Sequence, residues 1–483
     1  MIKFKSVVQQ LKEDEYNNLC KQFIETKADK YLRLLKLYRE NVYSDEEIQE
    51  LLSVNTSAYY TLKSRLFDKI QDFLTNNMST PVIDLLVKVA NIPTLIYDTH
   101  RDTAVAILTR LESELQSYDM PYELSNVYSA LKKLHLHSPK YFEYTQAFNR
   151  HLAYTVALDK AEDLLNNFMR TLGEYDVSRL KTHIPYLTLI KQEIKNVCAL
   201  YSSHHLQVYK SFVDISYALY VPDAEAVKDD EPVEDMLSNL EKIFTTYKQD
   251  NVYQHIQLVY YFLAFEYYQK LNLPKKAIRF YDEVNKKLPS FLLFNHCTYT
   301  TRFLISRINH HIENNAEQEL YEQNKLLFAN YEPDKNDVPN FINFAKYIAA
   351  GAFHAKRYQE SVQHLNSLIN AISFKNYPHA EIEIKLLLAL NYVLINKYDP
   401  ATSLLRSVTR KIRELNDDMG YENALIFYKV LAVQMSSSAR QADQKMSQLF
   451  SRFELLNQKS NRMLEYIRID ENLIKQLSQA AKR

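Results

Sequence analysis

The sequence predicts an all-α fold of stacked antiparallel helix pairs, and three observations carry that reading. Only 3 glycines occur in 483 residues, Gly173, Gly351 and Gly420, whereas tight strand turns and phosphate-cradling loops depend on glycine. The 13 prolines fall mostly between apolar-periodic segments, as punctuation between helices. Between Phe341 and Arg413 one internal spacing occurs twice. Ala349 is followed twelve residues later by Ser361, then Leu365 and Leu368, and Ala389 is followed twelve later by Ala401, then Leu405 and Val408.

Two antiparallel helices approach closely only where a small side chain sits at their crossing. Ala349 and Ala389 supply it on the first helices, Ser361 and Ala401 on the second. The apolar residues at i+4 and i+7 form the buried stripe of an amphipathic helix. Tyr358 and Tyr398 precede the second helix at the same place, and Asp399-Pro400 is a helix start. One such pair cannot bury its apolar face alone, so the pairs stack. A further copy upstream contains Ala264, Tyr267, Ala277, Tyr281, Val284 and Pro289, with Ala277 thirteen residues after Ala264, an extra residue assigned to its loop.

This pattern resembles the tetratricopeptide (TPR) repeat over about a quarter of the chain. The usual glycine of the first helix is alanine in each copy, and the Ala349–Ala389 spacing is forty residues where the family uses about thirty-four. The resemblance implies a right-handed superhelix whose first helices line a concave, protein-binding groove. Tyr260, Tyr261, Phe265 and Tyr268 are the candidate aromatic stripe for a partner helix or peptide, joined by Lys346. Repeats that clamp a chaperone's C-terminal carboxylate carry asparagine four residues after such a lysine. Here that residue is Ala350, so that specialised binding is not expected.

Taken in order, residues 1–80 read as a four-helix module: 5–28, 29–41, a short helix to Leu52, and a longer one to about Leu74. Ser44 and Glu47 form a capping box, and Ser53-Val54-Asn55 is a turn. The stretch 44–66 resembles the helix-turn-helix of sigma-factor-type DNA readers. Glu47, Ile48, Leu51, Leu52 and Val54 stand at its packing positions, and Lys63, Ser64, Arg65 and Leu66 at its end. The usual turn glycine is Ser53, and the final group lies three residues further along. The resemblance implies that Thr56, Ser57, Tyr60 and Lys63 face DNA. Residues 1–80 hold twelve Lys/Arg and twelve Asp/Glu, so composition guarantees no basic face.

Residues 81–220 read as a degenerate helical-repeat region, with Pro93, Pro121, Pro139 and Pro185 at helix starts or breaks. The run Ala161, Leu165, Phe168 is expected to be the second helix of a repeat. Residues 221–236, with seven acidic residues against Lys228, read as an acidic linker. Residues 237–483 form the TPR-like superhelix, with a second polar break at 331–340 and a helix over 459–479 capping its end.

Net charge is +0, which gives no bulk attraction to nucleic acid or an anionic membrane. Tryptophan is absent, and the 37 tyrosines suit half-buried positions between helices. Cys20, Cys198 and Cys297 form no CxxC pair and read as buried thiols in a reducing compartment. The opening MIKFKSVVQQLKEDEY lacks the apolar core of a signal peptide, and a cytoplasmic location is expected. The pairs His135/His137, His204/His205 and His310/His311 lack metal-site spacing, because neighbours on a helix point about 100° apart. No metal, cofactor or nucleophile signature is read, so no enzyme is expected. The expected function is a non-catalytic protein–protein interaction scaffold or adaptor. The alternative is a transcriptional regulator with a DNA-contacting helix-turn-helix and a TPR-like sensor region.

Overall fold

The structure, a computed structural model, describes residues 4, 7, 8, 11, 13–40, 43–76, 81–221, 231–248, 251–293, 298–328, 331, 333–415, 420–436, 439–458 and 461–480. Among these residues there are twenty-four helices and no strand. None of the helices is long and apolar enough to cross a membrane. The chain forms two compact units: Met1–Leu115 with Asn126–Tyr141, and Gln116–Ser125 with Phe142–Arg483. The acidic stretch 222–230, the tip of the expected boundary at 77–80, and Cys297 lie outside the described residues.

The first unit begins with α1 (Glu13–Glu25), α2 (Asp29–Glu40), α3 (Asp45–Leu52) and α4 (Thr56–Asn76). Helix α2 packs against α1, α3 and α4, burying Leu34, Leu35, Tyr38, Ile48, Tyr59 and Leu66 in one core. The capping box is present: the Glu47 N–H donates to the Ser44 hydroxyl, and the Ser44 N–H donates to the Glu47 carboxylate. Helices α5 (Pro81–Ala90), α6 (Ile92–Asp98), most of α7 (Arg101–Ser117) and most of α8 (Pro121–Leu134) complete this unit.

The second unit contains nearly all of α9 (Lys140–Ser178), then α10 (His183–Cys198), α11 (His204–Tyr220) and α12 (Val233–Thr246). Pro93, Pro121 and Pro185 lie in the first turns of α6, α8 and α10, where a missing N–H costs nothing. Ala161, Leu165 and Phe168 are buried, but they lie mid-way along α9 rather than in a separate repeat helix. No glycine or proline interrupts 140–172, and the helix runs on. Likewise α12 takes the last four residues of the expected acidic linker, because Met236 and Leu237 begin a buried stripe with Leu240 and Phe244.

The repeat-bearing part follows as α13 (Asn251–Lys270), α14 (Pro274–Lys286), α15 (Leu288–Leu293), α16 (Arg302–Glu313), α17 (Glu319–Leu327), α18 (Val338–His354), α19 (Tyr358–Ala371), α20 (Pro378–Leu394), α21 (Tyr398–Glu414), α22 (Glu422–Ser436), α23 (Ala439–Asn457) and α24 (Glu471–Ala480). Helices α13/α14, α18/α19, α20/α21 and α22/α23 pair as sequence neighbours, and α16, α18, α20 and α22 pack successively side by side. Ala264, Ala277, Ala349, Ser361, Ala389 and Ala401 are all buried, as close crossings require. The expected break at 331–340 is shorter by three residues, because Asp337 caps α18 at Val338.

One turn recurs at the ends of α13, α16, α18 and α20. Asn272, Asn315, Lys356 and Asn396 adopt φ of 55–60°. The next N–H in each case donates five residues back, as from Arg357 to Ala352 O at 2.8 Å and Lys397 to Tyr392 O at 2.8 Å. This is a Schellman turn, which satisfies carbonyls that the helix end leaves open. It also places the extra residue of the upstream copy. Ala277, Ser361 and Ala401 each follow the left-handed residue by five, so the insertion lies in α13 and not in its loop.

Lys356 is the one of these four that is not asparagine. A left-handed lysine costs roughly 1 kcal/mol that glycine avoids. Lys356→Gly is expected to raise the urea-unfolding midpoint and Lys356→Val to lower it, as followed by circular dichroism.

Candidate functional site

The groove residues foreseen from the sequence are largely consumed by the protein itself. Tyr260, Phe265 and Tyr268 are buried and Tyr261 is half-buried. Tyr268 stacks on Phe280 at 5.7 Å, Tyr260 meets Phe244 and Phe280, and Phe265 meets Tyr281 and Phe303. The stripe is therefore interhelical core: aromatic residues on both faces of α13 find neighbours in α11, α12, α14 and α16.

Lys346 is also buried. Its Nζ donates to Glu383 Oε2 at 2.9 Å, while Glu383 Oε1 accepts the Leu464 N–H at 2.9 Å. Residues 461–470 are not the expected capping helix, which is confined to α24. Leu464 has φ 57°, and Met463, Leu464, Tyr466 and Ile467 are buried. Polar contacts hold this segment on several helices. The Asn423 amide donates to Asn461 O at 2.6 Å, the His354 ring N–H donates to Tyr466 O at 3.0 Å, and Arg468 reaches Asn315, Glu317 and Ile312 O. Lys346 lies 5.3 Å from the Tyr466 ring centroid.

A second buried centre joins the end of α9 to the same helices. Asp176 pairs with Arg179 at 2.9 Å and Arg302 at 3.5 Å, and accepts from the Asn343 amide at 3.3 Å. Burial alone raises a carboxyl pKa, but Arg302 and Arg179 hold Asp176 well below the usual carboxylate range. The neighbouring Glu266 is pushed upward by burial, with Arg302 only partly opposing it. Gly173 fits here without a side chain, because a Cβ would meet Pro339 Cβ and the Tyr299 ring at 3.3 Å.

On α4, Thr56, Ser57 and Tyr60 are exposed, with Ser64 and Arg65 beside them. Lys63 does not join that face. It pairs with Asp45 at 3.0 Å and lies over the rings of Phe4, Tyr38 and Tyr59. Burial opposes ionisation of Asp45, but bonds from Lys63 and Tyr38 hold its carboxyl below the ordinary range. Leu51 is exposed rather than packed, while Ile48 and Leu52 are buried. A cleft of about 440 Å³ beside α4 is lined by Tyr31, Asn55, Ser57, Ala58, Thr61, Leu62 and Arg65.

The most concentrated group of convergent donors lies elsewhere, at the start of α11. Asp119, in the α7–α8 turn with φ 56°, accepts hydroxyls from Tyr154 at Oδ1 and Ser203 at Oδ2, the latter at 2.5 Å, and the His205 N–H at 3.3 Å. Ser203 in turn caps Leu206 N at 3.0 Å. His204 Nε2 and His205 Nδ1 each stand 3.9 Å from Asp119 Oδ2. Tyr253 hydroxyl bonds His204 Nδ1, and Tyr247 stacks on His204 at 3.8 Å. The two rings leave the helix about 100° apart, and Asp119 Oδ2 lies within reach of both. Asp119, eighty-five residues upstream of His204, carried no local signal in the sequence.

Of the remaining histidine pairs, His311 and His135 are buried, His310 is half-buried and His137 is exposed. His311 Nδ1 contacts Arg307 O at 2.8 Å, and burial pushes both His310 and His311 downward. His135 meets Arg101. Cys20 and Cys198 are half-buried thiols rather than buried ones, and burial raises Cys198 to about 11, which makes it a poor nucleophile at neutral pH.

Removing Lys346 strands a buried carboxylate, so Lys346→Met is expected to cost roughly 3–5 kcal/mol. Lys346→Met with Glu383→Leu should recover part of that loss. Chemical denaturation measures both, and limited proteolysis should cut 461–470 faster in the single variant. No known protein family, curated protein or solved structure matches the chain.

Proposed function

We propose that the helix pairs from α13 onward stack as a TPR-like right-handed superhelix, and that the protein is a non-catalytic protein–protein interaction scaffold or adaptor. The successive packing of α16, α18, α20 and α22 supports the first part. Because Lys346, Tyr260, Phe265 and Tyr268 serve the protein's own packing, recognition moves off the inner face. The observation that carries the reading is a set of exposed apolar side chains on α9, on α10 and just after it. Val156 is 69% exposed, Leu200 72% and Leu152 40%. Leu152 and Val156 share one face of α9 at i,i+4, and the Tyr154–Tyr201 ring stack at 4.9 Å ties the end of α10 to the opposite face of α9. Tyr186 and Leu189 extend exposed apolar area along α10. Clustered exposed apolar side chains mark docking surfaces.

The test is capture of partner proteins by the full chain and by Val156→Glu/Leu200→Glu. A partner held by the natural protein and lost by the double variant, with unchanged circular dichroism, is the expected result. Equal retention by both moves the site elsewhere, and no partner for either removes the scaffold reading.

A transcriptional regulator is the second reading, favoured by one local geometry. An eight-residue α3, a three-residue turn with Ser53 at φ 51° in the usual glycine place, and Asn55 capping Ala58 N at 2.8 Å lead into an exposed Thr56, Ser57 and Tyr60. On this reading the full chain binds duplex DNA with an affinity that falls steeply with salt, and Ser57→Glu/Arg65→Glu abolishes it. The scaffold reading expects no duplex binding in an electrophoretic mobility assay at low salt.

A further inference from the structure

We propose that Asp119, His204 and His205 bind one divalent transition-metal ion of the zinc class. The three donor atoms lie within 4.8 Å of one another, and both imidazole nitrogens stand 3.9 Å from Asp119 Oδ2. A tetrahedral ion with bonds of about 2.0–2.1 Å separates its ligands by about 3.3–3.4 Å. Each imidazole nitrogen therefore needs to approach the carboxylate by about half an ångström, and the widest separation in the set, up to 4.8 Å, needs to close by about 1.4 Å, movements that side-chain torsions supply.

The surroundings are those of a metal ligand set. A ligating imidazole commonly engages its second nitrogen with an outer partner, which fixes the ring and selects the tautomer. Tyr253 is that partner for His204: in the metal-binding tautomer Nδ1–H donates to the Tyr253 hydroxyl oxygen, which leaves the Nε2 lone pair toward Asp119. The ligating carboxylate is also oriented, by the Tyr154 and Ser203 hydroxyls. The rings are held by Tyr247 stacked on His204, and by Tyr253 at 4.9 Å from His205. Side chains of Asp119, His204 and His205 remain about a tenth exposed, at 10%, 12% and 10%. His204 Nε2 is itself buried, so an ion enters as these side chains shift aside.

Two imidazoles and one carboxylate select the class of ion. Calcium and magnesium prefer all-oxygen sets, whereas zinc, nickel and copper take imidazole readily. All residues named belong to the second unit. The site adjoins the docking surface at Tyr154 and shares no residue with the helix-turn-helix-like stretch.

The experiment uses the full chain stripped with a chelator and equilibrated by dialysis against micromolar Zn²⁺, with the bound metal quantified. One zinc per chain is expected. Asp119→Asn and His204→Gln should each weaken binding by at least 100-fold, and Tyr253→Phe, which keeps all three ligands, by 10- to 100-fold. Co²⁺ should give a visible ligand-field band that His204→Gln abolishes. Absence of zinc at micromolar concentration overturns the proposal. So does zinc held equally by the natural chain, His204→Gln and Tyr253→Phe, which assigns the ion to other surface groups. If Asp119→Asn fails to fold, Tyr253→Phe and the cobalt spectrum still decide.

Discussion

The second unit depends on the buried ion pair between Lys346 and Glu383. Stripping two charges of water costs several kcal/mol each, and their attraction repays this only when the remaining hydrogen-bonding capacity is filled. The Leu464 N–H fills it at Glu383 Oε1. The pair on α18 and α20 therefore cannot be satisfied unless a segment some eighty residues downstream is in place. An irregular stretch is fixed by the helix pairs, and the helix pairs are completed by that stretch. The Asp176–Arg302 centre does the same for the end of α9, a helix that precedes the repeats in sequence.

Such polar closure has a different consequence from apolar closure. Leucines at these positions would stabilise many slightly shifted packings, because the hydrophobic effect is non-directional. A lysine–carboxylate–amide chain accepts one register. Arg307 acts similarly: it is fully buried, and its guanidinium reaches Asn285 at 2.9 Å, Gln323 at 2.6 Å, Asn324 and Tyr347. One side chain thereby aligns α14, α16, α17 and α18. Stacked hairpins are nearly equivalent to one another and open to slippage. In this chain, irregular helix lengths and directional polar contacts make each pair distinct.

What was legible in the sequence is what local chemistry decides. The capping box at Ser44 and Glu47, proline in first helical turns, and the small residues at helix crossings all appear where the pattern placed them. Their effects act within four residues or at a fixed helical period. The 461–470 segment misled because its alternation of apolar and charged residues also suits a helix. Only the distant Glu383, His354 and Asn423 supply partners for an open backbone there. The aromatic stripe misled for a related reason. Periodicity marks which face of α13 is apolar, but α13 is enclosed on more than one side. Its Tyr260 and Phe265 are core from opposite directions. Asp119 was illegible because nothing near it in sequence requires a carboxylate.

Two carboxylates of the second unit illustrate why one is structural and the other suits a ligand. Asp176 faces two guanidinium groups, which neutralise it and leave no attraction for a further cation. Among the described residues, Asp119 has no lysine or arginine within 4 Å. Its contacts are hydroxyls, a backbone N–H and two imidazoles. The start of α11 places a partial positive charge beside it, equivalent to about half an elementary charge. A divalent ion there would meet one full negative charge and two neutral nitrogens, and would oppose that helix end. The balance favours soft coordination by imidazole over charge neutralisation. The site's selectivity therefore rests on nitrogen, and hard oxygen-seeking cations gain little from it.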